Sequence, residues 1–168
     1  MNTDTILQYG HQMILTVVKD LPETEWTRPG AHGDWSIKDI IAHLTLCEYA
    51  LSEISQSILE SGIPTPTLDQ LRQNFAEFCQ REVENRRDLT IEETLAEYMT
   101  AYEQNRPLIC RIPADLSHRN GTLPWYGEEF DLDDFIFFTF YGHKRERAGQ
   151  IAAFRKELST EAQKWNAN

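Results

Sequence analysis

The chain has 168 residues, 40% of them hydrophobic and 26% charged, with a formal net charge of −11. That length suits one domain, 1–168, able to bury well over half of the surface its unfolded chain exposes, and the composition excludes a disordered chain. The negative balance repels phosphate backbones and anionic lipid, so neither nucleic acid nor a membrane surface is expected as a partner.

The start, Met1-Asn2-Thr3-Asp4-Thr5, lacks the basic and apolar regions of a signal peptide, and no run reaches the roughly 18 apolar residues of a membrane span. A cytoplasmic location follows as the expectation. Asp4 to Lys19 places Leu7, His11, Ile14 and Val18 on one stripe and Ile6, Gly10, Met13 and Val17 on the next, the spacing of an amphipathic helix. Leu21-Pro22 ends it, and Arg28 to Gly33 reads as a turn-rich loop.

Ser36 with Asp39 has the pattern of a capping box and opens a second helix that carries Ile37, Ile40, Ile41, Leu44, Leu51, Ile54 and Ile58 to about Leu59. A third helix is expected from Leu68 to about Asn85, with Leu71, Phe75, Phe78 and Cys79 inward. Thr90 and Glu93 cap a fourth, which carries Ile91, Leu95, Tyr98, Met99 and Tyr102 until Pro107 kinks or ends it. Pro113 to Glu129 reads as a loop holding Trp125 and Tyr126.

Phe135 to Tyr141 is rich in strand-favouring residues. Length decides for a helix, because Leu132, Ile136, Phe140, His143, Arg147, Ile151, Phe154 and Leu158 continue one stripe, with Asp131 as N-cap and Asp134 three residues on. A strand would find no partner, since no other segment alternates. An all-α helix bundle is the way to bury so many stripes together.

Three cysteines, Cys47, Cys79 and Cys110, are odd in number and widely spaced, which suits neither a disulfide framework nor a zinc module. Each is expected as a small core residue. Lys144, Arg145 and Arg147, with Glu146 among them, read as a helical face of mixed charge.

His43, His143 and Arg147 are polar where the periodicity expects apolar groups. His43 and Cys47 lie one turn apart on the second helix, and His143 and Arg147 one turn apart on the last. If those helices face each other, the two imidazoles meet.

The run Gly33-Asp34-Trp35-Ser36-Ile37-Lys38-Asp39-Ile40-Ile41-Ala42-His43-Leu44 resembles the WS-x-K-D-I-x-A-H-L signature of the DinB/YfiT-like superfamily. Tyr141 to Ile151 resembles that family's closing H-x-x-x-H-x-x-Q-I. The resemblance implies a four-helix up-down-down-up bundle with an additional connecting helix, often homodimeric. It implies a divalent metal, zinc or nickel, held by three histidines, one from the second helix and two from the last. Relatives act on small-molecule substrates as thiol-dependent transferases or isomerases, or as hydrolase-like resistance proteins.

His43 and His143 match the first two ligand positions, and Arg147 stands at the third. A catalytic zinc commonly takes three protein ligands, and a guanidinium has no lone pair to give. Three outcomes stay open. Cys47 could serve as a substitute ligand, with Glu48, Glu146 and His11 as weaker ones. Arg147 could act as a fixed cation that pairs with a carboxylate or grips an anionic substrate. The site could also be a relic without chemistry. Gln150 is a candidate to bond a ligand or orient His43, and Trp35 and Trp125 to wall a cavity. No catalytic residue is assigned. A small-molecule enzyme, a metal-free binding or stress-response module and a dimerisation protein are the competing functions.

Overall fold

The computed structural model describes residues 3–166, and every regular element among them is helical. The first helix, α1 (Thr3–Val18), buries both predicted stripes in part, from Ile6 and Leu7 to Ile14 and Val18. Asp20, with φ of 53°, turns the chain out of it. A single turn, α2 (Glu23–Trp26), follows Pro22 and buries Trp26, and an isolated bridge joins His32 of the expected loop to Trp35 just beyond it.

The capping box at Ser36 is present: its hydroxyl accepts from the Asp39 amide at 3.2 Å, and the Asp39 carboxylate accepts from the Ser36 amide at 2.9 Å. It opens α3 (Ile37–Leu59). The expected helix from Leu68 to Asn85 is two helices instead, α4 (Pro66–Gln73) and α5 (Phe75–Glu84), broken where Asn74 takes φ of −150° and ψ of 56°. The break turns Phe75 outward, 55% exposed, against the inward expectation. Glu53 of α3 reaches across to α4, its carboxylate accepting from the amides of Thr67 and Leu68 at 3.1 and 3.0 Å. A carboxylate there satisfies free amides and complements the helix dipole.

Thr90 and Glu93 form the second capping box and start α6 (Ile91–Arg111). Pro107 does not end it, because the helix runs another turn to Arg111; Met99 faces solvent rather than core. A short turn, α7 (Ala114–Ser117), interrupts the segment expected as a loop. The long last helix then comes in three parts: α8 (Leu132–Phe135), a π-helical segment (Ile136–Tyr141) and α9 (Gly142–Asn166), capped by Asp131 and Asp134 as expected and running past Leu158.

Helix α3 lies against α6, and α1 against α9 and the π segment; α4 and α5 flank α3. Their apolar faces form two large clusters, beside a small one of Leu46, Phe78 and Cys79. One joins Leu7, Leu51, Ile54, Leu132, Phe135 and Ile136, the other Ile14, Ile37, Ile41, Leu44, Tyr98 and Ile151.

Buried polar groups from α1, α3, α6 and α9 meet inside the bundle as a polar layer. Lys144, expected on a solvated face, is 1% exposed and forms an ion pair with fully buried Glu48. Asn105 donates to the Glu48 carboxylate at 2.7 Å and to its backbone carbonyl at 2.9 Å. The Lys144 ammonium stands 5.1 and 5.6 Å from the ring centres of Tyr102 and Tyr98, and His11 stacks on Tyr102 at 3.7 Å. Gly10 leaves room for the lysine stem, since a Cβ there would come within 3.2 Å of the Lys144 Cδ. No described helix is long and apolar enough to cross a membrane.

Candidate functional site

Because the Ser36 cap fixes where α3 begins, His43 falls on its buried face, 1% exposed, opposite the first turn of α9. His143 meets it there: the two Nε2 atoms are 3.2 Å apart and the rings stand nearly perpendicular. Cys47, one turn beyond His43, brings Sγ to 4.0 Å from the His43 Nε2 and 3.7 Å from the His143 Nδ1. Three residues that the spacing singled out are thus in contact.

Arg147, 8% exposed, turns inward to the same place. Its Nε–H donates to the His143 Nε2 at 3.0 Å, and its Nη1 donates to the Gln150 Oε1 at 2.8 Å. Gln150 therefore steadies the arginine rather than His43, and in turn donates to exposed Glu146 at 3.2 Å. Glu48 and His11, the weaker ligand candidates, lie in the polar layer instead, Glu48 held by Lys144 and His11 by Tyr98 and Tyr102. Of the cysteines, Cys79 is buried as expected, Cys47 is half-buried and Cys110 is exposed.

Burial pulls His43 down to about 3, with the positive charge of His143 and Arg147 adding to it. His143 falls to about 4 by burial first and Arg147 second. Both rings are neutral at pH 7. Since the His143 Nε2 accepts from Arg147, its proton belongs on Nδ1, a tautomer assigned from the hydrogen-bond network. His43 turns its Nε2 towards the His143 Nε2 at 3.2 Å, and its buried Nδ1 has no hydrogen-bond partner among the described residues. The Cys47 thiol is pushed up to about 12 by burial, then by Cys79 and Glu48, so it stays protonated and weakly nucleophilic.

His43, Cys47 and His143 could hold a metal ion by distance, their ligand atoms lying within 4.8 Å of one another. Two nitrogens on a tetrahedral zinc are about 3.3 Å apart, close to the spacing of this pair. The surroundings do not fit such an ion. The lone pair of the His143 Nε2 is engaged by Arg147. A guanidinium about 4 Å from a divalent ion costs roughly 8 kcal/mol at an effective dielectric near 20. The His43 Nδ1 also lacks the acceptor that orients a ligating imidazole.

Cys47 and His143 form the floor of a cleft of about 260 Å³, near the small end of ligand sites, which run from about 300 to 1,000 Å³. Phe75, Trp125, Phe135 and Phe140 wall it together with Leu68, Leu71 and Ile54, and Arg72 stands at its rim. The π segment builds part of this wall. In an α-helix, residues five apart point about 140° away from each other, whereas the wider turn brings Phe135 and Phe140 together with ring centres 5.4 Å apart. Trp125 is a wall, as expected. Trp35 lies on the other side of the imidazole pair, 5.2 Å from the His43 ring, and donates to the Gln80 Oε1 at 2.9 Å.

The sequence reading missed Arg72, Thr139 and the phenylalanine walls. The aromatic run Phe135 to Tyr141 signalled Phe135 and Phe140, and Phe75 stood on the apolar stripe of the expected third helix, whereas nothing local marked Arg72.

No curated protein matches the sequence. The fold is similar to a crystal structure of a protein from Streptococcus pneumoniae, with a TM-score of 0.75 at 11% identity over 92% of this chain and 88% of that one. The model of the DinB superfamily matches residues 6–151, which include both His43 and His143. The chain belongs to the DinB superfamily.

Proposed function

We propose that this protein binds a small molecule in the cleft above the histidine pair and that it does so without a resident metal, on an up-down-down-up bundle. The observation that carries this reading is the 3.0 Å hydrogen bond from the Arg147 Nε–H to the His143 Nε2. One imidazole nitrogen has one lone pair, and here it serves an internal cation that is covalently part of the chain. Gln150 holds the guanidinium in that position. The long link that carries α4 and α5 between α3 and α6 supports this topology, because two neighbouring helices that run parallel need a crossover of that kind.

A metal-dependent enzyme, a thiol-dependent transferase or hydrolase-like, is the second reading. The spacing of the His–Cys–His cluster favours it.

Titration with zinc and with nickel separates the two. The parent protein should show no site tighter than a surface histidine, and Arg147→His should gain affinity by at least about tenfold, since it removes a charge and adds a third imidazole. Equal, tight binding by parent and variant would refute the metal-free reading.

A further inference from the structure

Among the described residues no carboxylate lies within ion-pair distance of Arg72, although acidic residues outnumber basic ones 27 to 16 in this chain. It projects from α4 at the rim of the cleft, where its guanidinium lies 5.1 Å from the centre of the Trp125 ring. Among the described residues that cation–π contact is its one charged or ring interaction, and it forms no ion pair. A cation held over an aromatic face leaves its N–H donors unpaired, and a guanidinium with free donors can receive a carboxylate in two parallel hydrogen bonds.

Below Arg72 the walls are mostly apolar and aromatic, and Cys47 and His143 form the floor. The cleft therefore offers apolar surface along its depth and a positive charge at its mouth alone. We propose that it takes a small amphipathic anion, whose apolar or aromatic body fills the cleft while its carboxylate pairs with Arg72. This rests on the reading of the cleft as a small-molecule site and adds the class of ligand.

Calorimetry with 4-phenylbutanoate and with 4-phenylbutan-1-ol, which share one body and differ in charge, tests it. The acid should bind at least about fivefold tighter at low salt, and the advantage should shrink as salt screens the rim. Arg72→Gln should bring the acid to the affinity of the alcohol, and Arg72→Lys should keep part of the difference because it keeps charge and loses the fork. Equal binding of acid and alcohol by the parent, or a ratio unchanged in Arg72→Gln, would overturn the anion site and leave the cleft standing. Failure of both probes to bind would overturn the cleft as a ligand site and the anion site with it.

Discussion

At the scale of single residues, two buried cations organise the interior in different ways. Arg147 satisfies the histidine pair, and Lys144, three positions earlier in the chain, satisfies Glu48. Removing one partner of a buried pair leaves the other charged and desolvated, so Lys144→Met should cost on the order of 3–5 kcal/mol in urea unfolding. Adding Glu48→Gln to that variant should recover part of the loss; no recovery would mean that the lysine contributes by packing. The meeting of His43 with His143 was legible, because helical spacing put each on a buried face and the two motifs placed both helices in one family pattern. Lys144 was not. A lysine next to that stripe reads as solvated unless its partner is known, and Glu48 sits 96 residues away on another helix.

At the scale of elements, three capping boxes fixed where α3, α6 and α8 begin, and all three could be read from a Ser, Thr or Asp followed by an acid at the third position. Ser36→Ala should lower stability by about 1–2 kcal/mol and loosen the register that sets His43, seen as both a lower melting temperature and faster amide exchange in the first turn of α3. A loss under a few tenths would show that Asp39 alone caps the helix. What local pattern could not show was the break at Asn74, the continuation through Pro107 and the π turn. Each depends on packing against other helices rather than on propensity. The π turn matters most, since it decides which aromatic residues wall the cleft.

For the whole molecule, the all-helical fold followed from apolar stripes that no strand could pair with, and the polar layer inside the bundle gives it a pH response. His11 in that layer is pulled down to about 4 by burial first, with Lys144 and Arg106 adding repulsion, and it faces Tyr98 and Tyr102. Its native pKa lies below its unfolded value of 6.5, so the unfolded chain takes up a proton that the folded one refuses. The resulting stability is complete above about pH 6.5 and is lost as pH falls towards 4, a contribution on the order of 3 kcal/mol. His43 and His143, lowered to about 3 and about 4, act in the same direction over the same window, so His11→Phe should keep the stack on Tyr102 and make the decline shallower without abolishing it; an unchanged slope would assign the response to the histidine pair alone.

The metal content of the untagged protein, purified without chelator and measured by mass spectrometry of its elements, bears most directly on the site. With Arg147 bonded to the His143 nitrogen, well under a tenth of an equivalent of zinc, nickel or iron should accompany the chain. One equivalent, held through dialysis, would mean that the arginine swings away and that His43, Cys47 and His143 share an ion after all.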